Sequence, residues 1–359
     1  KLHGENKLRE TVPLLERAIA LREKALGKDH LDVASLVSDL AEVTLELGDA
    51  ARAEPLYLRV IATVEKKLGK ESVELGPLLV NLSVARLVKK EYAGAIATAE
   101  RALAVYEKAY GPADATVDKT LGLLATLYDD AGDAARAIAA LERSLAIREK
   151  VFGPEHIELS NALSRLAYMY REGGGPRARR PAPGAPPGIV EKGKGSEHPM
   201  SRACSWSSRS TAAMWAMSRA PSSSSSGRSR YARARSARGT PDVGASLNNL
   251  AEMYLRKGDY RRAEPLFQRA LAIFEAAYGP ASESVGVALN NLASVHLVKG
   301  EVDRARSLFQ RALAIREKAL GPEHPDIAAA LGNVAEAYMS AFNYADAEPL
   351  LERAIAIRE

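Results

Sequence analysis

Cysteine is almost missing from this sequence. Cys204 stands alone among 359 residues, which excludes a disulfide framework and a thiolate metal site. Aromatic residues are scarce as well, at 6%, a content that disfavours an enzyme core built around buried rings. No run approaches ~18 uninterrupted apolar residues, so no transmembrane helix is expected. The opening KLHGENKLRE has neither a methionine nor the apolar h-region of a signal peptide, and a cytoplasmic location is the expectation. With 47% hydrophobic and 26% charged residues, there is still ample apolar material for a large folded body.

The net charge of +5 is misleading. Thirteen Lys or Arg stand against two Asp or Glu between Gly173 and Thr240, so the remainder of the chain is net negative. That same segment holds Cys204 and both tryptophans, Trp206 and Trp215. The basic balance therefore belongs to one anomalous stretch and does not mark the body of the protein as a nucleic-acid binder.

What the chain does have is repetition. PDVGASLNNLAEMYLRKGDYRRAEPLFQRALAIFE (241–275) is echoed at 277–318 and again at 320–359, with earlier copies at 28–60 and 111–150. His30, His156, His198 and His324 share one position of the repeat, separated by whole multiples of 42 residues. Each unit reads as two helices. Leu247, Leu250, Ala251 and Tyr254 recur at three- and four-residue steps and so share one helical face. Gly258 suits a left-handed helix stop and Asp259 an N-cap. A second helix follows, burying Ala263, Phe267, Ala270 and Leu271, until Gly279-Pro280 ends it and starts the next unit. Pro265 removes a backbone donor inside that second helix, where a slight kink is expected.

The motifs NNLA, GDY, AEPL, RALAIREK and GPEHP together resemble the tetratricopeptide repeat, in the long form found in kinesin light chain. The resemblance covers residues 1–172 and 241–359. It departs from the shorter form of the repeat in having Glu275 and a longer second helix where that form ends in proline. It implies an all-α fold, a right-handed superhelical solenoid of antiparallel helix pairs in which each unit buries its face against its neighbours. The chain opens in a second helix (7–27) and closes in one (344–359), so a piece of a longer array is expected.

Little points to catalysis. Equivalent positions one unit apart lie two helix diameters, ~16–20 Å, from each other, which is too far for the recurring histidines to share a metal. They read instead as loop residues near the start of each first helix. No Gly-rich phosphate loop, HExxH or GxSxG occurs. Asp129-Asp130 reads as a solvated helix end. No enzymatic activity, cofactor or metal is expected.

Binding is the remaining class. The resemblance implies that first helices line the concave side of the superhelix and offer a groove to a peptide or partner helix. Asn81, Asn249, Asn291 and Asn333 share one position of the repeat, and Asn248 and Asn290 sit beside two of them. Asn is a modest helix former, so its repeated use within helices needs a reason. In kinesin light chain and in chaperone-tail-binding tetratricopeptide domains, first-helix asparagines contact peptides, and the resemblance carries that role to these six positions. The alternative is that they bond to the neighbouring helix within the stack. Asp39, Leu123 and Arg165 take the same position elsewhere and break any ladder in the N-terminal half. The expected function is a non-enzymatic protein-interaction scaffold. The alternative is a sensory or regulatory arm of a larger multidomain enzyme, a kinase or an NTPase. Neither a nucleic acid nor a membrane is an expected partner.

Residues 173–240 divide the expected architecture into an N-terminal block (1–172), an irregular segment, and a C-terminal block (241–359). The irregular segment reads either as a low-complexity linker or as repeat sequence in the wrong frame. Phase favours the second: GSEHP (195–199) falls one period after GPEHI (153–157), and the repeat resumes on time at Thr240-Pro241. The genetic code agrees for 200–240, if each residue is written from the last two bases of the intended codon and the first of the next. Trp215 followed by Ala216 then hides GGC, a glycine in the position of Gly258. Met200 and Ser201 permit Asp-Val, as at Asp242-Val243, and residues 219–222 permit Ala-Arg-Ala-Glu. GPRARRPAPGAPP (175–187) does not follow one frame throughout. A break there leaves each block without the other's interface, and the C-terminal block, with under three units, is expected to be marginal. Resequencing the source DNA should show compensating one-base changes near codons 200 and 240; a clean read in the present frame removes this reading.

Overall fold

The computed structural model describes residues 2–171 and 241–359, and every regular element among them is an α-helix. Residues 172–240, with Cys204, His198 and the hidden-frame tract, lie outside these. The residues group into two bodies, 1–112 with 127–132, and 113–126 with 133–171 and 241–359. The first body holds α1 (Leu2–Leu26), α2 (Leu31–Glu46), α3 (Ala50–Leu68), α4 (Leu75–Val88) and α5 (Tyr92–Tyr110). α6 (Ala115–Asp130) contributes its last residues to the first body and the rest to the second. The second body continues with α7 (Ala134–Phe152), α8 (Glu158–Arg171), α9 (Pro241–Arg256), α10 (Tyr260–Tyr278), α11 (Glu283–Val298), α12 (Val302–Leu320), α13 (Pro325–Ser340) and α14 (Tyr344–Arg358).

Local chemistry sets these boundaries. Gly258 holds φ at +76° in the turn between α9 and α10, and Asp259 caps α10 by accepting the Arg262 N–H. Asp49, Asp133 and Asn343 cap α3, α7 and α14 in the same way. The helix α10 runs unbroken through Pro265. Phe342 takes the position of Gly258 in the last repeat and adopts φ +60° without being glycine, a conformation costly to a bulky side chain.

Packing explains the composition. Within each body, first and second helices of one repeat pack together, and each second helix packs on the next first helix (α2 with α3, α3 with α4, α9 with α10, α10 with α11). One position of the second helix is alanine in every copy from α3 onward: Ala53, Ala95, Ala137, Ala263, Ala305 and Ala347, all essentially without solvent contact. A side chain of one carbon lets the paired helices close. Four residues on, Phe267 and Phe309 fill the space between units, each burial being worth roughly 1.5–3 kcal/mol. Around Phe309 the core joins Ala293, Ala305, Val334 and Ala337 from three successive helices.

Second helices are also linked by ion pairs. In the first body Arg59 reaches Glu23 and Arg101 reaches Glu65, each 36 residues back; in the second, Arg311 reaches Glu275 at 2.6 Å over the same separation. Arg59, Arg101 and Arg353 each also bond a loop carbonyl 31 residues back. The α9–α10 unit repeats this pattern with a longer reach. Arg269 bonds Glu149 at 2.9 Å and the Pro154 carbonyl, and Arg262 bonds Glu142 at 2.8 Å, over separations of 120, 115 and 120 residues. Each separation exceeds its counterpart by two 42-residue periods. The α9–α10 unit thus engages α7 as the unit directly after it would.

The two sides of residues 172–240 also meet face to face. α8 packs on α9: Ser160 and Ser164 each approach the Ser246 hydroxyl at 3.0 Å, and the Tyr170 and Tyr254 rings lie 5.0 Å apart. Glu142 accepts from both phenols, at 2.8 and 3.3 Å. This differs from the expectation that each block stands without the other's interface. The physical reason is the apolar face of α8, where Leu159, Leu163 and Leu166 are buried, together with the small serines that let α9 approach.

One buried group is out of place. Tyr57 occupies the position of Phe267 and Phe309, is fully buried, and its hydroxyl makes no hydrogen bond of full geometry among the described residues, the Asn81 amide being the nearest candidate. An unmatched buried hydroxyl costs roughly 1–3 kcal/mol. Tyr57→Phe should therefore raise the thermal midpoint of unfolding by a few degrees; an unchanged or lower midpoint would mean that the hydroxyl is satisfied.

Candidate functional site

The candidate site is the solvent-facing side of the first helices, opposite the packed alanine and leucine face. In the second body its asparagines lie where α9, α11 and α13 succeed one another. Asn291 Nδ2 donates to Asn248 Oδ1 at 3.2 Å, and Asn333 Nδ2 donates to Asn290 Oδ1 at 2.7 Å. Each bond joins the shared asparagine position of one repeat to the residue one place earlier in the preceding repeat. Asn248 is buried, Asn290, Asn291 and Asn333 are half-buried, and Asn249 is exposed. The pairs match the alternative in which asparagine bonds the neighbouring helix, but they do not exhaust the amides. An amide has two donors and an acceptor, so each pair leaves hydrogen-bonding capacity unused, and Asn290, Asn291 and Asn333 are the paired amides that solvent reaches.

Asn81, on α4 in the first body, stands apart from these pairs. Its amide lies beside the Tyr57 phenol and acts on it, as do the Glu42 and Glu46 carboxylates of α2. Burial foremost, and then Glu42, pushes the Tyr57 phenol well above its usual range. Tyr57 was not singled out by periodicity, although its hydroxyl in a position that is otherwise Phe, Leu or Ala was the available signal.

Of the recurring histidines, His30, His156 and His324 sit at the starts of first helices, as expected, and His198 lies outside the described residues. The three are also N-caps in their own right: His30 Nδ1 accepts the Asp32 N–H and His324 Nδ1 accepts the Asp326 N–H, both at 3.2 Å. His156 accepts the Glu158 N–H at 3.2 Å and stacks on Phe152 with centroids 5.0 Å apart. Imidazole here does the work that Ser or Asp does in most helices. His296, which the repeat comparison did not single out, is buried and bonds Glu301 at 3.0 Å. Lys299 first, then Arg304 and His296, hold the Glu301 carboxyl down at about 2. Among the described residues no group of three or more His, Cys, Asp or Glu is placed to hold a metal ion. No helix among them is long and apolar enough to cross a membrane.

Comparisons with known proteins bear on this geometry. Two family models, both described as tetratricopeptide repeat, match the chain, one at residues 74–150, 120–178, 242–297 and 284–359 and the other at 2–32 and 33–74. No curated protein matches it. Solved structures similar to it include BtubC (BKLC) from P. vanneervenii, 20% identical, covering 96% of this chain and 91% of that one with a TM-score of 0.35. A kinesin light chain-type protein of Podosopora anserina with nearly identical TPR-like repeats is 16% identical, covering 81% of this chain and 98% of that one, with a TM-score of 0.37. YrrB, a TPR protein with an unusual peptide-binding site, is 15% identical, covering 82% and 90%, with a TM-score of 0.31. The repeat models together span most of the sequence on both sides of residues 179–241, and the chain belongs to the tetratricopeptide repeat family.

Proposed function

We propose that the protein is a non-enzymatic interaction scaffold that holds a peptide or partner helix against the exposed faces of its first helices. Tetratricopeptide repeats are protein-interaction modules in general, and the chain carries their helix pairs on both sides of residues 172–240. The observation that carries the finer reading is the set of asparagine pairs in the second body. Asn248–Asn291 and Asn290–Asn333 fix the amides relative to one another and leave donors and acceptors spaced by successive first helices. An extended peptide backbone presents a matching series of N–H and C=O groups. Asn249 adds an unpaired exposed amide on α9.

The test is selection of a random peptide library on the full-length protein. Peptides should be enriched, and Asn249→Ala combined with Asn290→Ala and Asn333→Ala should weaken the winners about fivefold or more. Gln268→Ala, on the exposed face of α10, should leave them unchanged. The absence of enrichment, or equal binding by the triple variant, contradicts the reading.

A further inference from the structure

Homologous faces of the repeats need not carry the same chemistry. The face of α2 in the first body is acidic: Asp39, Glu42 and Glu46 follow one another at helical spacing, and the helix has no Lys or Arg. Neither Asp39 nor Glu46 has a basic partner among the described residues. The Asp39 carboxyl is reachable by solvent yet partly desolvated, and with no cation beside it burial pushes its pKa above the ordinary value. The face of α4, which touches α2, is aliphatic: Val80 and Val84 are half-buried, Val88 is 51% exposed, and Pro77 precedes them. The sole basic residue of α4, Arg86, is turned away into a bond with Glu54 at 2.8 Å and with Thr98 at 2.7 Å. Lys89, just beyond the helix, is likewise tied to Glu54. Beneath this pair of faces lies the Tyr57 hydroxyl, fully buried and flanked by Asn81, Glu42 and Glu46.

Resting on the groove reading above, we infer that the α2–α4 face of the first body takes a basic, aliphatic peptide segment, with Lys or Arg toward Asp39 and Glu46 and a Leu- or Val-sized side chain on Val84 and Val88. Charge decides the direction. The exposed carboxylates of Asp39 and Glu46, on a helix without Lys or Arg, repel an acidic partner and attract a cationic one, and the valine stripe gives the cationic segment an apolar surface to cover. The second body differs: α9, α11 and α13 carry Asn249, Asn291 and Asn333 in the position of Asp39 and Arg256, Val298 and Ser340 in the position of Glu46, and of the matching carboxylates only Glu252 and Glu336, in the position of Glu42, remain. An ion pair at an exposed site is worth about 0.2–1 kcal/mol, so affinity here comes from several contacts together and falls with salt.

The experiment measures fluorescence anisotropy of the full-length protein with two labelled twelve-residue peptides, one alternating Lys with Leu and one alternating Glu with Leu. The Lys peptide should bind, and the Glu peptide should bind at least tenfold more weakly. Asp39→Asn with Glu46→Gln should weaken the Lys peptide about fivefold at ~50 mM salt, a loss that shrinks at ~500 mM. Val88→Ser should weaken it at both salt concentrations. These positions are exposed, so circular dichroism of each variant should match the parent, and binding loss is then read against an intact fold. Lys-peptide binding unaffected by these changes but weakened by the Asn249/Asn290/Asn333 triple variant overturns this inference and leaves the groove reading standing. Equal binding of the Glu peptide overturns it too. No binding of either peptide, together with no library enrichment, overturns both.

Discussion

The close approach of two helices at one alanine is the constraint on which the described structure depends. Ala53, Ala95, Ala137, Ala263, Ala305 and Ala347 are all buried, at 2% exposure or less, on the packed face of a second helix. Larger residues there would force the pair apart and strain the core. With the pair closed, Phe267 and Phe309 can reach the following unit, and the guanidinium groups of Arg101, Arg269 and Arg311 can span to the preceding second helix. Stability in such an array is a sum of neighbour interfaces, and these contacts are the interface.

That dependence on neighbours explains the behaviour at residues 172–240. An exposed apolar face on α8 is costly, and α9 is the helix that covers it. The ion pairs of Arg262 and Arg269 then fall on Glu142 and Glu149 because every repeat carries the same residues at the same spacing. A strict period makes units interchangeable in register, so a unit two periods along can present the right side chains to the wrong neighbour.

Much of this was legible from residues alone. The period, the helix pairs, the glycine and aspartate turns and the first-helix position of the histidines follow from spacing, since propensity and periodicity act within one or two turns of chain. The contacts of α8 with α9 were not legible, because they join residues 86 apart whose pairing depends on what lies between them. The imidazole caps were hidden because histidine is an uncommon N-cap, and only the Nδ1 geometry reveals the role. The asparagine slot was visible as a slot, whereas the pairing of Asn291 with Asn248 depends on how far one first helix is offset from the next. Tyr57 shows the reverse. Its sequence signal was present, one hydroxyl in a row of apolar residues, but its meaning required knowing that the hydroxyl makes no hydrogen bond of full geometry among the described residues.

The direct stacking of α8 on α9 is the claim with most weight, and a cysteine pair tests it. In a Cys204→Ser background, Ser160→Cys and Ser246→Cys would place two thiols where hydroxyls now stand 3.0 Å apart. Mild oxidation of the monomer, followed by denaturation, digestion and mass spectrometry, should yield a disulfide-linked peptide pair containing positions 160 and 246. Monomer in which both thiols stay free, or in which the link forms only between molecules, would contradict the stacking.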